Sequence, residues 1–257
     1  MTALTPTPLP NKERGFQWHQ RYQQQANWTR ELREYIFNEI GLTEESRALE
    51  VGCGTGAILS TIDSPVYGLD IQLASLKEAQ IHAPTSPLTC ANAFSLPYAD
   101  ASFEIVFCHF LLLWLPNPQD AIKEMLRVTR AGGYIIAFAE PDYTHRVDKP
   151  AALAELGAWQ RDALKRQGAT PAMGADLAEL FYGAGIEIVE TGAISNAEHE
   201  PFNTEEWALE WATLEADLAG NISDERILKM KSLDKLAWEN GERILYVPTH
   251  YIRGARG

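Results

Sequence analysis

Short apolar runs alternate with segments of helical pattern through the middle of the chain. Runs of strand length occupy 48–51, 66–69, 103–108 and 134–139. A helix is predicted between the last two, because Pro118 stands at its start and apolar residues recur at helical spacing from Ile122 to Thr129. Strands that alternate with helices form parallel sheets. The pattern therefore predicts an α/β fold with helices on both faces of the sheet.

The flanking regions are mainly helical in pattern. Further elements are predicted as a helix at 28–40, a helical stretch from the fifth strand to about 184, a sixth strand at 186–192, a helical insertion at 204–240 and a last strand near 243–251. We expect a flexible lead-in at 1–14, because its repeated prolines and polar residues cannot bury a core. Residues 15–257 are expected to form one domain, with helical cap elements at 15–40, 142–184 and 200–240.

A glycine-rich segment joins the first predicted strand to the segment after it. It reads Glu50-Val51-Gly52-Cys53-Gly54-Thr55-Gly56. Gly52 and Gly54 permit backbone angles that a Cβ would forbid, and they leave no side chain between the main chain and a ligand. The segment therefore predicts a loop that binds a nucleotide-sized ligand through its backbone.

The second predicted strand ends in Asp70, eighteen residues after Gly52. At the tip of the adjacent parallel strand, this carboxylate can accept hydrogen bonds from both hydroxyls of a ribose. Loop and acid together predict a nucleoside site. The glycines alone also fit a dinucleotide fingerprint, which leaves a nicotinamide-dependent reductase as an alternative.

Two further motifs distinguish the nucleoside site from the dinucleotide site of a reductase. Residues 90–98 and 102–109 follow at the spacing of the third and fourth motifs of the class I S-adenosylmethionine-dependent methyltransferases, and the chain resembles that family closely over about 45–140. The resemblance implies a Rossmann-like, seven-stranded, mostly parallel sheet with an antiparallel last strand and helical insertions over the active site. Asn92 stands where many members have Asp, and Glu104 where most have Asp; both keep an acceptor.

The resemblance also implies the cofactor, S-adenosylmethionine, and its product, S-adenosylhomocysteine. Tyr22 precedes the first predicted helix, where related enzymes close a lid, and its ring suits the positive sulfonium; packing in the core is the alternative. The cofactor-binding residues expected are Tyr22, Glu50, Gly52, Cys53, Gly54, Asp70, Ile71, Asn92, Ala93, Phe94 and His109.

Methyl transfer from a sulfonium is an in-line displacement, so the protein mainly aligns the acceptor and excludes water. His109, at the end of the fourth predicted strand, is the candidate general base; support of the pocket through a hydrogen bond is the alternative. Glu140 and Asp142 either orient the acceptor or cap local backbone. Histidines 145, 199 and 250 have weaker claims. No metal-ligand spacing is present.

Charge and composition indicate the kind of partner. The net charge of −13 disfavours a nucleic-acid substrate, and no apolar run is long enough to span a membrane. We therefore expect a cytoplasmic enzyme, a monomer or homodimer, that methylates a small molecule. A catalytically silent S-adenosylmethionine-binding sensor is the other hypothesis. Trp207, Trp211, Leu214 and Leu218 form a helical stripe that either docks the insertion or lines the acceptor pocket.

Overall fold

A computed structural model describes residues 18–194 and 202–257 of the chain. Its main sheet has the strand order β3-β2-β1-β4-β5-β9-β7. These strands are β1 (Ala48–Val51), β2 (Val66–Asp70), β3 (Leu88–Cys90), β4 (Phe103–Cys108), β5 (Thr129–Pro141), β7 (Glu187–Ile194) and β9 (Thr249–Ala255). β9 runs antiparallel to its neighbours β5 and β7, whereas β1 to β5 pair in parallel. The predicted fold class is confirmed.

The helices are α1 (Trp18–Trp28), α2 (Arg30–Glu39), α3 (Leu73–His82), α4 (Pro118–Val128), α5 (Ala154–Arg166), α6 (Met173–Gly183), α7 (Thr204–Leu218) and α8 (Asp224–Glu239). The central strands alternate their side chains between two apolar layers, as a pleated strand requires. Val106 and Cys108 face the layer that holds α4 and α6. Ile105 and Phe107 face the layer that holds α2 and α3. The sheet is therefore covered on both sides.

Helices α5, α7 and α8 build a separate apolar cluster. Trp211, Leu214 and Leu218 of α7 pack there with residues of α5 and α8. A small sheet of β6 (Val147–Lys149) and β8 (Ile244–Tyr246) lies in the same part of the sequence as these helices. We call α5, α7, α8 and this small sheet the cap.

Two predicted boundaries were wrong. The segment before Trp28 is itself helical, and Thr29 separates α1 from α2. The single last strand predicted at 243–251 is divided at Pro248 into β8, which pairs with β6, and β9, which enters the main sheet. Proline has no backbone N–H to donate to a ladder, so it favours the break between two sheets. The expected lead-in at 1–14 and His199 lie outside the described residues.

Candidate functional site

The glycine loop after β1 contains three residues with left-handed backbone angles: Gly52 (φ 79°), Gly54 (φ 51°) and Gly56 (φ 79°). A Cβ on Gly52 would lie 2.7 Å from Leu111 Cδ1, and one on Gly56 would lie 3.2 Å from Ala79 Cα. A Cβ on Gly54 would meet no atom within 4 Å. The outer glycines are thus required by packing, while Gly54 exposes bare backbone to free space.

Asp70 ties this loop to the end of β2. One carboxylate oxygen accepts a hydrogen bond from Gly54 N at 2.9 Å, and the other accepts one from Gln72 N at 2.7 Å. Burial raises the pKa of Asp70, while the hydrogen bonds from Gln72 and Gly54 lower it. Each carboxylate oxygen has a second lone pair. Asp70 therefore shapes the loop and retains capacity to accept from a ligand.

Glu50 lies beneath the loop and is almost fully buried, with 2% of its surface exposed. Its Oε2 has no hydrogen-bond partner among the described residues. Burial raises its pKa to about 8; the charge of Arg33 opposes the shift and that of Asp70 adds to it. A buried carboxylate oxygen without a donor is costly. A ligand that brings a donor to this position would remove that cost.

The predicted residues after β2 and β3 complete this edge of the site. Asp70 pairs with Cys90 in the sheet, which brings the segment after β3 beside it. Asn92 Oδ1 accepts from Phe94 N at 3.0 Å and so uses its acceptor to form a tight turn. The side chain of Ile71 is 41% exposed. The four strand ends β1 to β4 thus carry the predicted cofactor-contact residues that follow them along one edge.

Helix α1 covers the loop. His19 Nδ1 lies 2.8 Å from Thr55 Oγ1 and its ring stacks on His82, with centroids 3.4 Å apart. Burial raises the pKa of Tyr22, and the nearby charges of Asp70 and Glu78 raise it further. Tyr22 also packs against the apolar layer that holds α2 and α3, and its contact with the cofactor stays a prediction.

His109 lies at the end of β4, where its Nε2 is 2.8 Å from Thr29 Oγ1. Burial and, to a smaller extent, the charge of Arg33 lower its pKa to about 3. An imidazole with so low a pKa is a weak base near neutrality. The geometry favours the supporting role for His109 over the catalytic one.

The two acids at the carboxyl end of β5, Glu140 within the strand and Asp142 just after it, serve the backbone. Glu140 accepts hydrogen bonds from the N–H groups of three successive residues, Leu111, Leu112 and Leu113, at 2.8 to 3.0 Å. Asp142 accepts from Thr144 N at 2.9 Å and contacts His145 Nδ1 at 2.6 Å. Burial raises the pKa of Glu140 to about 7. Both acids therefore fix the loops after β4 and β5, which favours the capping alternative.

The opposite face of α1 borders a cavity of about 190 Å³. Arg21, Gln24 and Trp28, spaced along one side of α1, form one wall. Phe110, directly after His109, and Tyr143, after β5, form another. The cap supplies much of the rest, including Trp207, Glu210, Trp211, Asp234 and Trp238, and Arg243 and Val247, which flank β8, also line it. α1 therefore borders both the glycine loop and this cavity, which also reaches Phe110 beyond the end of β4.

A buried polar network supports the cavity from the cap side. Asp234 Oδ2 accepts from the indole N–H groups of Trp207 and Trp211 at 2.8 and 2.7 Å. Arg243 bonds Asp234 through Nε and Asp148 through Nη2 at 2.7 Å. Arg146 bonds Asp148 through Nε at 2.8 Å. The α7 stripe thus both docks the cap and lines the cavity.

Several lining residues were not predicted from the sequence. Arg21 and Gln24 fall three residues apart, a helical spacing that would have placed them on one face. Tyr143 and Arg243 carry no such local signal, because the contacts that bring them to the cavity are distant along the chain. Among the described residues, no group of three or more His, Cys, Asp or Glu residues could hold a metal ion.

Residues 49–137 match the profile of the methyltransferase domain family. This segment contains the glycine loop, Asp70 and His109 and ends within β5. Over this segment the chain is similar to methyltransferase domains. Outside this segment lie α1 and the cap, which together form most of the cavity.

Relatives and solved structures agree with this assignment. Over 120 residues the chain is 32% identical to a demethylmenaquinone methyltransferase of Renibacterium salmoninarum, covering 45% of this chain and 51% of that protein. A malonyl-[acyl-carrier protein] O-methyltransferase of Pseudescherichia vulneris is 27% identical over 119 residues, covering 45% and 47%. The chain thus spans about half the length of these relatives.

The fold of a methyltransferase candidate from Bacillus halodurans C-125 superposes with a TM-score of 0.60. The two chains are 16% identical, and the match covers 87% of this chain and 97% of the other. Within 18–194 and 202–257, no helix has the length and apolar character that crossing a bilayer requires.

Proposed function

We propose that this protein transfers a methyl group from S-adenosylmethionine to a small-molecule acceptor. The observation that carries the proposal is the glycine loop, where Gly54 presents open backbone and is hydrogen-bonded to Asp70. Loop and acid offer the two contacts that a nucleoside with an amino-acid tail needs. The matching family segment covers these residues.

The chain's own residues divide the work. Bound S-adenosylmethionine would supply an electrophilic methyl group. Gly52, Cys53 and Gly54 would hold its amino-acid end through backbone, with Glu50 offering its unpartnered oxygen to a donor. Asp70 would accept from the ribose, and Ile71, Asn92, Ala93 and Phe94 would enclose the base. These assignments are drawn from the strand ends on which the residues lie.

Exclusion of water and alignment of the acceptor remain for α1 and the cap. Tyr22 and His19 lie on the loop side of α1, while Arg21 and Trp28 lie on the cavity side. A closed α1 would shield the methyl group from solvent. We assign His109 to the support of this junction through Thr29, which joins α1 to α2. The acceptor would then need to bind in its deprotonated form.

The cavity favours an enzyme over a silent sensor. A sensor needs only the nucleoside site, whereas this fold also forms a lined cavity beside α1 and the residues that follow β4 and β5. Two relatives are named for demethylmenaquinone and malonyl-[acyl-carrier protein] methylation, which supports a non-nucleic-acid acceptor. The net charge of −13 supports the same class. We place the protein in the cytoplasm, as a monomer or homodimer.

Calorimetry with S-adenosylhomocysteine, followed by incubation of a metabolite extract with methyl-labelled S-adenosylmethionine, tests the proposal. We expect saturable binding and a labelled product identified by mass. Failure to bind S-adenosylhomocysteine would refute the cofactor assignment, and binding of NADH in its place would favour the reductase. Cofactor binding without any labelled product would favour the sensor.

A further inference from the structure

The cavity beside α1 has the size and lining of a site for one ring. Its volume is about 190 Å³. A cavity of about 150 Å³ accommodates benzene in a protein interior. Four tryptophans line it, Trp28, Trp207, Trp211 and Trp238, together with Phe110. Flat aromatic walls favour a flat ligand, because rings stack or pack edge to face.

Two hydrogen-bond donors at the cavity lack acceptors. Arg21 is only 5% exposed, and its Nε has no hydrogen-bond partner among the described residues. Its Nη1 is already bound to Gln24 Oε1 and Glu210 Oε2, both at 2.6 Å. Tyr143 lines the same cavity, and no hydrogen bond of its hydroxyl is found among the described residues. Burial raises the pKa of Tyr143 to about 12, so its proton stays in place at neutral pH.

Two of the three acids that line the cavity are, by contrast, already engaged, and the third, Glu206, is exposed to solvent. Glu210 pairs with Arg21, and Asp234 is held by Arg243 and two indoles. Protein cations also lie over two of the aromatic faces: Arg21 Cζ lies 4.9 Å from the ring centre of Trp28, and Lys231 Nζ lies 5.5 Å from that of Trp207. A cationic ligand would therefore compete with these groups. A ligand oxygen would instead satisfy a donor.

We propose that the methyl acceptor is a single-ring aromatic compound whose hydroxyl or carboxylate oxygen accepts hydrogen bonds from Arg21 and Tyr143. The ring packs among the tryptophans, and the oxygen faces α1. This inference rests on the proposed function, because it takes the cavity as the acceptor site. Arg21 and Tyr143 act as specificity-determining residues that select an oxygen-bearing ring over an amine.

Ligand-detected NMR titrations in the presence of saturating S-adenosylhomocysteine test the proposal with three probes of one ring each: benzoate, phenol and benzylamine. We expect benzoate and phenol to bind and benzylamine to bind roughly tenfold more weakly or worse, since one hydrogen bond to a charged donor is worth about that ratio. Benzylamine binding as tightly as both oxygen compounds would overturn the proposal.

Probe binding to variants tests whether Arg21 and Tyr143 donate the hydrogen bonds to the probe oxygen. Arg21→Lys keeps a cation for Glu210 but removes the Nε donor, and it should weaken benzoate and phenol roughly tenfold. Arg30→Lys, on an exposed residue of the neighbouring helix that bonds Asn27, is the matched control and should change nothing. Tyr143→Phe should weaken both probes several-fold. Unchanged probe affinity in both Arg21→Lys and Tyr143→Phe would overturn the assignment.

Filling the cavity provides a check that does not depend on Arg21. Val247→Phe adds a ring at the half-buried wall formed between β8 and β9 and should abolish probe binding. S-adenosylhomocysteine affinity is measured on every variant. A wild-type protein that binds S-adenosylhomocysteine but no oxygen-bearing probe refutes this inference and leaves the proposed function standing. Probe binding without S-adenosylhomocysteine binding refutes the proposed function.

Discussion

At the scale of single residues, the predicted cofactor site depends on the missing side chain of Gly54. Gly54 and Gly185 both have positive φ, 51° and 77°, and a Cβ on either would meet nothing within 4 Å. Their backbone strain on substitution is therefore similar. They differ in place: Gly54 is bonded to Asp70 at the predicted cofactor site, and Gly185 follows α6.

Gly54→Val should abolish measurable S-adenosylhomocysteine binding, because the new side chain occupies the space through which the ligand reaches the backbone. Gly185→Val is the control and should bind normally. Each variant should lose about 1 to 2 kcal/mol of stability from the left-handed backbone angle. Calorimetry and urea unfolding measure both quantities. Normal binding by Gly54→Val would place the ligand elsewhere.

Asp70→Ala should weaken S-adenosylhomocysteine binding by about 1.5 to 3 kcal/mol, the range for hydrogen bonds to a charged group. Asp70→Ala should also lower the free energy of unfolding by about 1 to 3 kcal/mol, because Gly54 N and Gln72 N both lose their acceptor. Asp70→Asn should retain part of the binding free energy and part of the stability. Asp63→Ala, on an exposed residue just before β2, is the control.

Asp70→Ala with lowered stability but wild-type affinity would make Asp70 a purely structural residue. The nucleoside site would then have to be sought away from the end of β2. Unfolding and affinity must therefore be measured on the same samples.

His109 should make the protein sensitive to acid. Its pKa falls from 6.5 when unfolded to about 3 when folded, so between these values only the unfolded chain binds the proton. The unfolding free energy that His109 contributes is present above pH 6.5 and is lost as the pH falls towards 3. His109→Gln should flatten this loss in urea titrations between pH 7 and 4.

Gln20→Ala, on an exposed residue of α1 without a titratable side chain, is the control for that experiment. It should leave the acid-side slope as in the wild type. The quantity to compare is the difference between each variant and the wild type at each pH, because Glu50 and Glu140 have raised pKa values and shift stability in the opposite direction. An unchanged difference across pH for His109→Gln would contradict a buried, neutral His109.

At the scale of elements, α1 and the cap take part in two sites at once. α1 carries His19 and Tyr22 towards the glycine loop and Arg21 and Trp28 towards the cavity. The cap holds its half of the cavity through the Arg243 network, whose side chains are at most 4% exposed at Arg243, Asp148 and Asp234. A buried charge that loses one partner is left uncompensated.

Arg243→Met should therefore cost about 3 to 5 kcal/mol of stability. The control is Arg226→Met in the same cap, because Arg226 and its partner Glu155 are 54% and 62% exposed, and exposed pairs contribute about 1 kcal/mol or less. Urea unfolding followed by tryptophan fluorescence measures both. Equal losses in the two variants would show that the network does not hold the cap.

At the scale of the whole molecule, cofactor binding should stabilise α1 as well as the glycine loop. Hydrogen exchange should slow in Trp18–Trp28 on addition of S-adenosylhomocysteine, because a ligand that binds the closed form raises the free energy of opening. Met173–Gly183, which packs on the other apolar layer, serves as the internal control. NADH should protect neither helix. Protection confined to the loop would mean that α1 is not part of the site.

The sequence by itself determined the order of strands and helices, the glycine loop and the acid at the end of β2. These features leave local signals: an apolar period of two or about 3.6 residues, and glycines where the backbone must turn left-handed. The same signals do not state which chain segments meet. The expectation that Tyr22 and Asp70 share one site therefore came only from the family resemblance.

Only the tertiary structure decided the two faces of α1, the division of the last strand at Pro248 and the cavity with its polar support. Arg243 contacts Asp148 at a separation of 95 residues, and Asp234 joins indoles on a different helix. Such pairs form where long-range packing buries charges together, and no periodicity precedes them in the sequence. The roles of His109 and Glu140 depended likewise on Thr29 and on three backbone N–H groups that only the folded chain brings within reach.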